Sequence, residues 1–218
     1  MVNVARMMGL AMDPDEFPGK YSPFEAETRR RIWWDVFYYD TYVSDSMGHV
    51  PLIADNSHTT RLPAADVDED RFEPKSAEVP TIKEEEGERR QPSPSSSIYG
   101  LLKVRLAQLV KNIKKTSFRD PLVEPASPES AIEQAAGFEA DIKQWMNELP
   151  PCFRMDANLD SHHAAPSPFT GSSPATSASS PSESPYLVAQ RCELAIVANR
   201  LILKVYIPFL RSKAQSST

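Results

Sequence analysis

Residues 22–40 read Ser-Pro-Phe-Glu-Ala-Glu-Thr-Arg-Arg-Arg-Ile-Trp-Trp-Asp-Val-Phe-Tyr-Tyr-Asp, and this stretch decides the fold. Ser22 is a favoured N-cap residue, Pro23 suits the first helical position, and Glu25 completes an S-x-x-E capping box. Gly48 is the residue type that commonly follows the last turn of a helix. The sequence therefore predicts a helix from Pro23 to about Met47.

The predicted helix is unusually aromatic. Its inward face is expected to consist of Ile32, Trp33, Val36, Phe37, Asp40 and Val43, and the apolar band is widened by Trp34, Tyr38, Tyr39 and Tyr42. A helix that is apolar on most sides has to be buried on most sides. We therefore expect an interior helix of a multi-helix scaffold, whose tryptophan rings take part in no chemistry.

The three consecutive arginines, Arg29, Arg30 and Arg31, could suggest a nucleic-acid-binding patch. On a helix, however, neighbouring side chains point about 100° apart, so these three cannot form one stripe. Glu25 and Glu27 lie four residues before Arg29 and Arg31, which is the favourable orientation for ion pairs along a helix. The favoured interpretation is a solvated, partly paired turn that leads into the buried aromatic segment.

Four further helices are predicted from apolar residues that recur every three or four positions. They cover residues 1–12, stopped by Asp13-Pro14, then Ser96 or Ser97 to about Lys115, Ser127 to Leu149, and Pro185 to Leu210. The residues expected on their apolar faces are Val4, Met7, Met8 and Ala11; Ile98, Leu101, Leu102, Arg105, Leu106, Leu109, Val110 and Ile113; Ile132, Ala135, Phe138, Ile142, Trp145, Met146 and Leu149; and Leu187, Arg191, Leu194, Val197, Ala198, Leu201, Ile202 and Val205. Strand-like alternation is missing, so the predicted fold class is all-α, an irregular multi-helix array with long disordered inserts.

The domain organisation follows from two shifts in composition. Residues 73–97 are acidic and rich in Ser and Pro, and residues 160–184 are rich in Ser, Pro, Ala and Thr. Such segments cannot bury enough apolar surface to offset the entropy of ordering the backbone, so both are predicted to be disordered. Residues 1–72, 98–159 and 185–218 would then be consecutive parts of one helical domain.

The overall composition excludes several classes of protein. The 218 residues carry a formal net charge of −6, and an acidic chain is a poor ligand for a phosphate backbone. The two cysteines, Cys152 and Cys192, could form one disulfide, but two inert core thiols are the favoured interpretation. Apolar runs stay far short of the ~20 residues that span a bilayer, so an intracellular protein without a membrane segment is expected.

Several side chains resemble parts of a metal or catalytic site but lack the rest of the pattern. Asp66, Asp68 and Asp70 imitate the start of a calcium loop, but Arg71 stands where the loop needs glycine and Ala77 where it needs glutamate. His162 and His163 have no second ligand pair, and His49 and His58 suit structural roles better than acid–base catalysis. We therefore expect a non-enzyme with no catalytic, cofactor-binding or metal-ligating residue.

The aromatic helix and the loop after it resemble the signature block of the fungal-specific transcription factor domain, the middle homology region of fungal zinc-cluster transcription factors. The residues that carry the resemblance are Glu27, Arg29, Arg30, Arg31, Trp33, Trp34, Asp40, Gly48, Pro51, Leu62 and Pro63. Met7 to Leu10, Trp145 to Pro150, and Asn199 to Leu210 resemble other stretches of the family. Two departures are the replacement of the family's G-R-P by Gly48-His49-Val50-Pro51 and of an R-P-F-L arginine by Ile207.

The resemblance implies a nuclear regulatory domain that responds to a small-molecule effector or a transcriptional co-regulator. The family's DNA-binding module is a six-cysteine cluster that holds zinc, and this sequence lacks its closely spaced cysteine pairs. DNA binding and zinc are therefore expected only through a domain that is missing from this chain, which the pattern predicts to be a fragment of a longer protein. The alternative is an interaction or homodimerisation module that uses an apolar helix such as Pro185–Leu210.

Overall fold

The computed structural model describes residues 1–81, 96–117, 128–155 and 185–215. Within those ranges five helices follow one another, α1 (Val2–Met7), α2 (Pro23–Met47), α3 (Ser96–Ser117), α4 (Pro128–Asn147) and α5 (Pro185–Gln215). Short 3-10 turns lie at Pro14–Glu16, Glu69–Arg71 and Pro151–Phe153. The only extended pairing in this part of the chain is an isolated bridge between Val67 and Thr81. The all-α prediction is confirmed.

The insert predicted at 73–97 is described in part. Residues 73–81 end in the bridge at Thr81, and α3 begins at Ser96. Residues 82–95 and the whole insert predicted at 160–184, with His162 and His163, lie outside the described residues.

Helix α2 begins and ends where its local sequence predicts. The Ser22 hydroxyl accepts a hydrogen bond from the Glu25 amide at 3.2 Å, and the Glu25 carboxylate accepts one from the Ser22 amide at 2.9 Å. These two bonds satisfy amides that a helix start leaves without partners. Gly48 adopts a left-handed conformation with φ of 74°, which glycine reaches without steric cost. The predicted capping box at the start of the helix and the predicted end at Gly48 are both confirmed.

The chain folds as two compact units, Met1–Glu139 and Ala140–Thr218. In the first, α2 packs against α1 and α3. One apolar cluster joins the three helices and the loop after α2. Its members are Val2, Ala5, Leu10, Trp33, Trp34, Val36, Phe37, Tyr38, Ile53, Val104 and Ala107.

The buried face of α2 differs in part from the predicted one. Trp33, Val36, Phe37 and Asp40 are buried as expected. Ile32 and Val43 are exposed instead, and the buried face continues through the polar residues Thr41 and Ser44. Hydrophobicity alone could not select this face, because neighbouring α1, α3 and the loop decide which sides are covered.

The prediction for the first helix was wrong about its face and its end. Val2, Ala5 and Leu10 are buried, whereas Val4, Met7 and Met8 are exposed. The helix ends well before Asp13-Pro14 because Gly9 has φ of 68° and closes a Schellman motif. In that motif the Gly9 amide donates to the Arg6 carbonyl at 2.9 Å and the Leu10 amide to the Ala5 carbonyl at 3.0 Å.

Helix α3 keeps the predicted bounds to within two residues, but its buried face differs in part from the predicted one. Leu101, Leu102, Leu106, Val110 and Ile113 are buried as predicted. Arg105, expected on this face, is exposed, and Lys103 and Lys111 are buried. The long lysine stems lie along apolar surface and carry their ammonium groups to acceptors on other elements.

In the second unit, α5 contacts the turn at Pro151–Phe153. The buried Arg191 guanidinium donates from Nε and Nη2 to the Cys152 carbonyl at 3.2 and 2.9 Å. Arg191, Leu194, Ala198 and Leu201 are buried along one side of α5, as predicted.

Three details of α4, α5 and the cysteines differ from expectation. Helix α5 continues past Pro208 to Gln215 rather than ending near Leu210. On α4, Ile142 and Trp145 are buried as predicted but Ile132 is exposed. Cys152 and Cys192 form no disulfide, as favoured, but they are half-buried rather than in the core. Burial raises the pKa of the Cys152 thiol.

Candidate functional site

The residues singled out from the sequence gather on α2 and on the loop between Gly48 and Ala64, all in the first unit. Around them are two groups of contacts. One is a network of acids and arginines at the N-terminal half of α2. The other is a lysine-lined region where the loop meets α3.

The acid–arginine network centres on Arg30 and Asp13. Arg30 donates from Nε and Nη2 to the two Asp13 carboxylate oxygens at 3.0 and 2.8 Å. The Asp13 side chain is 5% exposed and the Arg30 side chain 11%. Asp13 also accepts from the backbone amides of Asp15, at 3.0 Å, and Arg61, at 2.8 Å. One carboxylate therefore fixes the segment before α2 and the segment after it to the helix.

The Asp13 carboxylate gives the fold a defined acid sensitivity. Chiefly because of the hydrogen bonds from Arg30, the pKa of Asp13 falls from 3.8 to about 2, although burial opposes the change. Since the folded pKa lies below the unfolded one, the stabilisation is complete above the unfolded value and is lost as pH falls through the folded value. The shift corresponds to about 2 kcal/mol at neutral pH.

We expect an Asp13→Asn variant to lack that acid-sensitive part of the stability. Urea unfolding from neutral pH down to about pH 2 would measure it, because the gap in free energy of unfolding between wild type and variant should narrow by about 2 kcal/mol over that range. A gap that stays constant with pH would contradict the role of Asp13.

Glu27 and Arg31 form the predicted pair, but in a buried setting. The Glu27 side chain is 2% exposed, and its Oε1 accepts from Arg31 Nε at 3.2 Å and from the Ala64 amide at 3.0 Å. Arg31 then reaches Glu69 at 3.1 Å and the Ser97 hydroxyl on α3 at 2.9 Å. The expectation of a solvated turn was wrong, because these groups join α2, the loop and α3.

Arg29 takes a third direction, as helix geometry predicted. Its Nη2 donates to the Met8 carbonyl at the end of α1 at 2.6 Å, and its guanidinium lies 4.5 Å from the centre of the Tyr21 ring. The predicted Glu25–Arg29 pair is replaced by these contacts and by the capping box. The three arginines therefore bind three different parts of the fold and present no common basic surface.

The two tryptophans of the signature are both buried, and they differ in the hydrogen bonding of the indole N–H. Trp33 is fully buried, while Trp34 donates from Nε1 to the Arg61 carbonyl at 2.8 Å. The His58 ring lies edge-on to Trp33, Trp34 and Phe37 at centroid distances of 5.4, 5.1 and 6.0 Å. Burial, with a smaller effect of Lys111, lowers the pKa of His58, so its imidazole is neutral at pH 7 and packs as an aromatic ring.

Asp40 holds the loop that follows α2. Its two carboxylate oxygens accept from the amides of Leu52 and Ile53 at 3.2 and 2.9 Å. Gly48 turns the chain out of the helix, and Pro51 lies half-buried just before these two amides.

Leu62 and Pro63 are placed by the residues on either side of them. The Arg61 carbonyl is bonded to Trp34, and the Ala64 amide to Glu27. Leu62 itself is exposed and Pro63 is half-buried. All eleven signature residues therefore lie within or next to contacts that attach α2 to its surroundings.

Lysines of α3, rather than an arginine after Gly48, contact this loop. Lys111 Nζ donates to the Ile53 carbonyl at 2.6 Å and to Asp55 at 2.7 Å. Lys114 Nζ donates to the His49 carbonyl at 2.9 Å and lies 3.6 Å from Asp45. The sequence did not predict these contacts. The usable signal was a lysine within the apolar face of α3.

Two clefts open beside these lysines. One, of about 280 Å³, is lined by Val50, Pro51, Ile53, Ala54, Asp55, Lys111, Lys114 and Lys115. The other, of about 310 Å³, is lined by Trp34, Phe37, Asp55, His58, Gln108, Lys111 and Asn112. Wherever the structure describes the chain, no cluster of three His, Cys, Asp or Glu side chains could hold a metal ion. Among the same residues, no helix has both the length and the apolar character of a membrane span.

Comparison with known proteins gives relatives of one kind. The chain is 26% identical over 210 residues to the pyrrolocin cluster transcription factor fsdR of Fungal sp. (strain NRRL 50135), which covers 96% of this chain and 23% of the relative. It is 36% identical over 74 residues to the C6 finger domain transcription factor hasF of Aspergillus fumigatus, covering 34% of this chain and 10% of hasF. It is also 36% identical over 80 residues to the Zn(2)-C6 fungal-type transcription factor pigI of Monascus ruber, covering 37% of this chain and 10% of pigI. No solved structure matches.

The chain thus spans a quarter or less of the length of these relatives. A family model described as the fungal specific transcription factor domain matches residues 1–149, which include α1 to α4 and every signature residue. This is a family of transcription factor domains rather than of enzymes. The chain belongs to the fungal-specific transcription factor domain family.

Proposed function

We propose that this chain is a regulatory segment of a fungal zinc-cluster transcription factor and that it controls transcription by responding to an effector or a partner. The observation that supports this is that the charged signature residues hold the fold together and do not line a catalytic site. Arg29, Arg30, Arg31 and Glu27 are occupied in contacts that hold the fold together. The same region leaves two clefts open between the loop and α3. Such an arrangement suits binding and conformational coupling rather than bond-making chemistry.

In this proposal the chain acts in the nucleus and does not contact DNA itself. Two relatives are named for C6 zinc modules, and a module of that kind would supply the contact with DNA and the zinc. The acidic net charge of −6 fits this division of labour, because a protein binds the phosphate backbone mainly through cationic side chains.

A reporter assay tests the proposal. The 218-residue chain is fused to an unrelated DNA-binding domain in a fungal host, and reporter output is compared with that of the DNA-binding domain alone under varied nutrient conditions. We expect the fusion to accumulate in the nucleus and to change the output in a condition-dependent manner. Equal output from the two proteins under every condition would contradict a regulatory role.

A homodimer is the partner arrangement that the surface of α5 favours. Ile196, Leu203 and Ile207 are exposed on this helix and are spaced by seven and four residues, so they lie on one side of it. We propose that a second copy would cover this stripe. Light scattering on the purified chain should give twice the mass of 24.4 kDa, whereas a monomeric mass at all concentrations would contradict a dimer.

A further inference from the structure

The cleft of about 280 Å³ between the loop and α3 combines an apolar wall with a cationic edge. Val50, Pro51, Ile53 and Ala54 supply the wall. Val50 is 71% exposed, so its methyl groups are accessible to a bound molecule. The loop that carries this wall is fixed by the Asp40 carboxylate through the Leu52 and Ile53 amides, so the wall is preformed.

The edge of the cleft carries three ammonium groups and one carboxylate, those of Lys111, Lys114, Lys115 and Asp55. The side chains of Lys111 and Lys114 are only 8% and 12% exposed. Each ammonium group contacts a backbone carbonyl and a carboxylate. Both lysines therefore stay in place and contribute positive electrostatic potential at the edge of the cleft.

Lys115 differs from the other two lysines. Its side chain is 63% exposed, and it pairs with Asp55, whose other oxygen is taken by Lys111. A lysine ammonium has three N–H donors, so an exposed Lys115 can accept a second anionic partner. Asp55 competes for the same ammonium. The lysines lower the pKa of Asp55, so it remains a carboxylate at neutral pH.

We propose that this cleft binds a small organic carboxylate with an apolar tail, whose head group pairs with Lys115 and whose tail lies on Val50, Pro51 and Ile53. The proposal rests on the proposed function, for which it names the effector class. At about 280 Å³ the cleft is slightly smaller than most small-molecule sites, which begin at roughly 300 Å³, so it suits a small ligand. The charge of the edge selects an anion over a neutral or cationic molecule.

The experiment is a titration of the full 218-residue chain with octanoate, followed through the 13C-methyl signals of Val, Ile and Ala residues by NMR. Saturable shifts are expected at the Val50, Ile53 and Ala54 methyls. Octanamide, which has the same tail and no charge, should bind about tenfold more weakly, as expected from the loss of one charge-assisted hydrogen bond.

Two variants move the affinity in opposite directions, which a merely structural role would not produce. Lys115→Gln should weaken octanoate binding about tenfold because it removes the ammonium, whereas Asp55→Asn should strengthen it because it removes the competing carboxylate. Neither change should alter octanamide binding. Lys75→Gln removes an exposed lysine outside the cleft and should change nothing.

Three results would overturn the proposal: equal binding of octanoate and octanamide, no saturable methyl shift, or tighter binding of an acidic amphipathic peptide at the same methyls. The last would assign the cleft to a protein partner. Octanoate binding without any change in reporter output from the fusion would support the site and count against the proposed function. A reporter response to octanoate without methyl shifts would count against the site alone.

Discussion

Replacing Trp33 by alanine is expected to lower the free energy of unfolding by about 3–5 kcal/mol, the range for truncating a buried aromatic side chain. Trp33 is fully buried and belongs to the apolar cluster that joins α1, α2 and α3. Truncation removes the transfer free energy of the indole ring and leaves a cavity that neighbouring helices can fill only in part. Urea unfolding followed by far-ultraviolet circular dichroism would measure the loss.

Two further variants keep this prediction testable if the alanine variant does not fold. Ile32→Ala changes the preceding residue of the same helix, whose side chain is 44% exposed, and should cost less than about 1 kcal/mol. Trp33→Phe retains an aromatic ring, and because the Trp33 Nε1 has no hydrogen-bond partner, it should cost much less than alanine. Equal stability of Trp33→Ala and Ile32→Ala would show that the ring is not a core element.

Replacing Asp13 by alanine is expected to lower the free energy of unfolding by about 3 kcal/mol, the lower end of the range for removing one partner of a buried ion pair. The variant leaves the Arg30 guanidinium, which is only 11% exposed, without its bidentate carboxylate partner. It also removes the acceptor of the Arg61 amide. Asp15, 2.9 Å from Arg30 and 60% exposed, retains part of the attraction, which is why the lower end is expected.

The matched control is Asp15→Ala, which removes an exposed carboxylate from the same guanidinium and should cost less than about 1 kcal/mol. A double-mutant cycle of Asp13→Ala with Arg30→Met isolates the pair. Because the double variant no longer buries an uncompensated charge, it should be less destabilised than the sum of the single variants. Strict additivity would mean that Asp13 and Arg30 do not depend on each other.

Local sequence was enough to place both ends of α2. Its start depends on Ser22, Pro23 and Glu25, and its end on Gly48, all of which act on backbone groups within a few residues. The same reasoning failed for α1. There the sequence offered Asp13-Pro14 as a stop, but Gly9 with its positive φ ended the helix sooner.

The contacts of the candidate site were predicted only where both partners lie on one helix. The Glu27–Arg31 pair spans four residues and follows from helical spacing. Arg31 with Ser97 spans 66 residues, Lys111 with Ile53 spans 58, and Asp13 with Arg61 spans 48. No periodicity connects such positions. The one local signal for Asp13 was its place before a proline, which indicated a turn and said nothing of Arg30.

The sequence by itself determined the fold class, the bounds of α2 and the resemblance to a family of transcription factor domains, because capping and hydrophobic periodicity act within one or two turns of a helix. Only the tertiary structure decided which charges are buried, which side of α2 is covered and where the clefts lie. The physical reason is that a charge can be buried only beside a partner, and here most of the partners lie on other elements of the fold. The sequence shows that these charged residues are present, but only the packing of α1, α2, α3 and the loop brings them together.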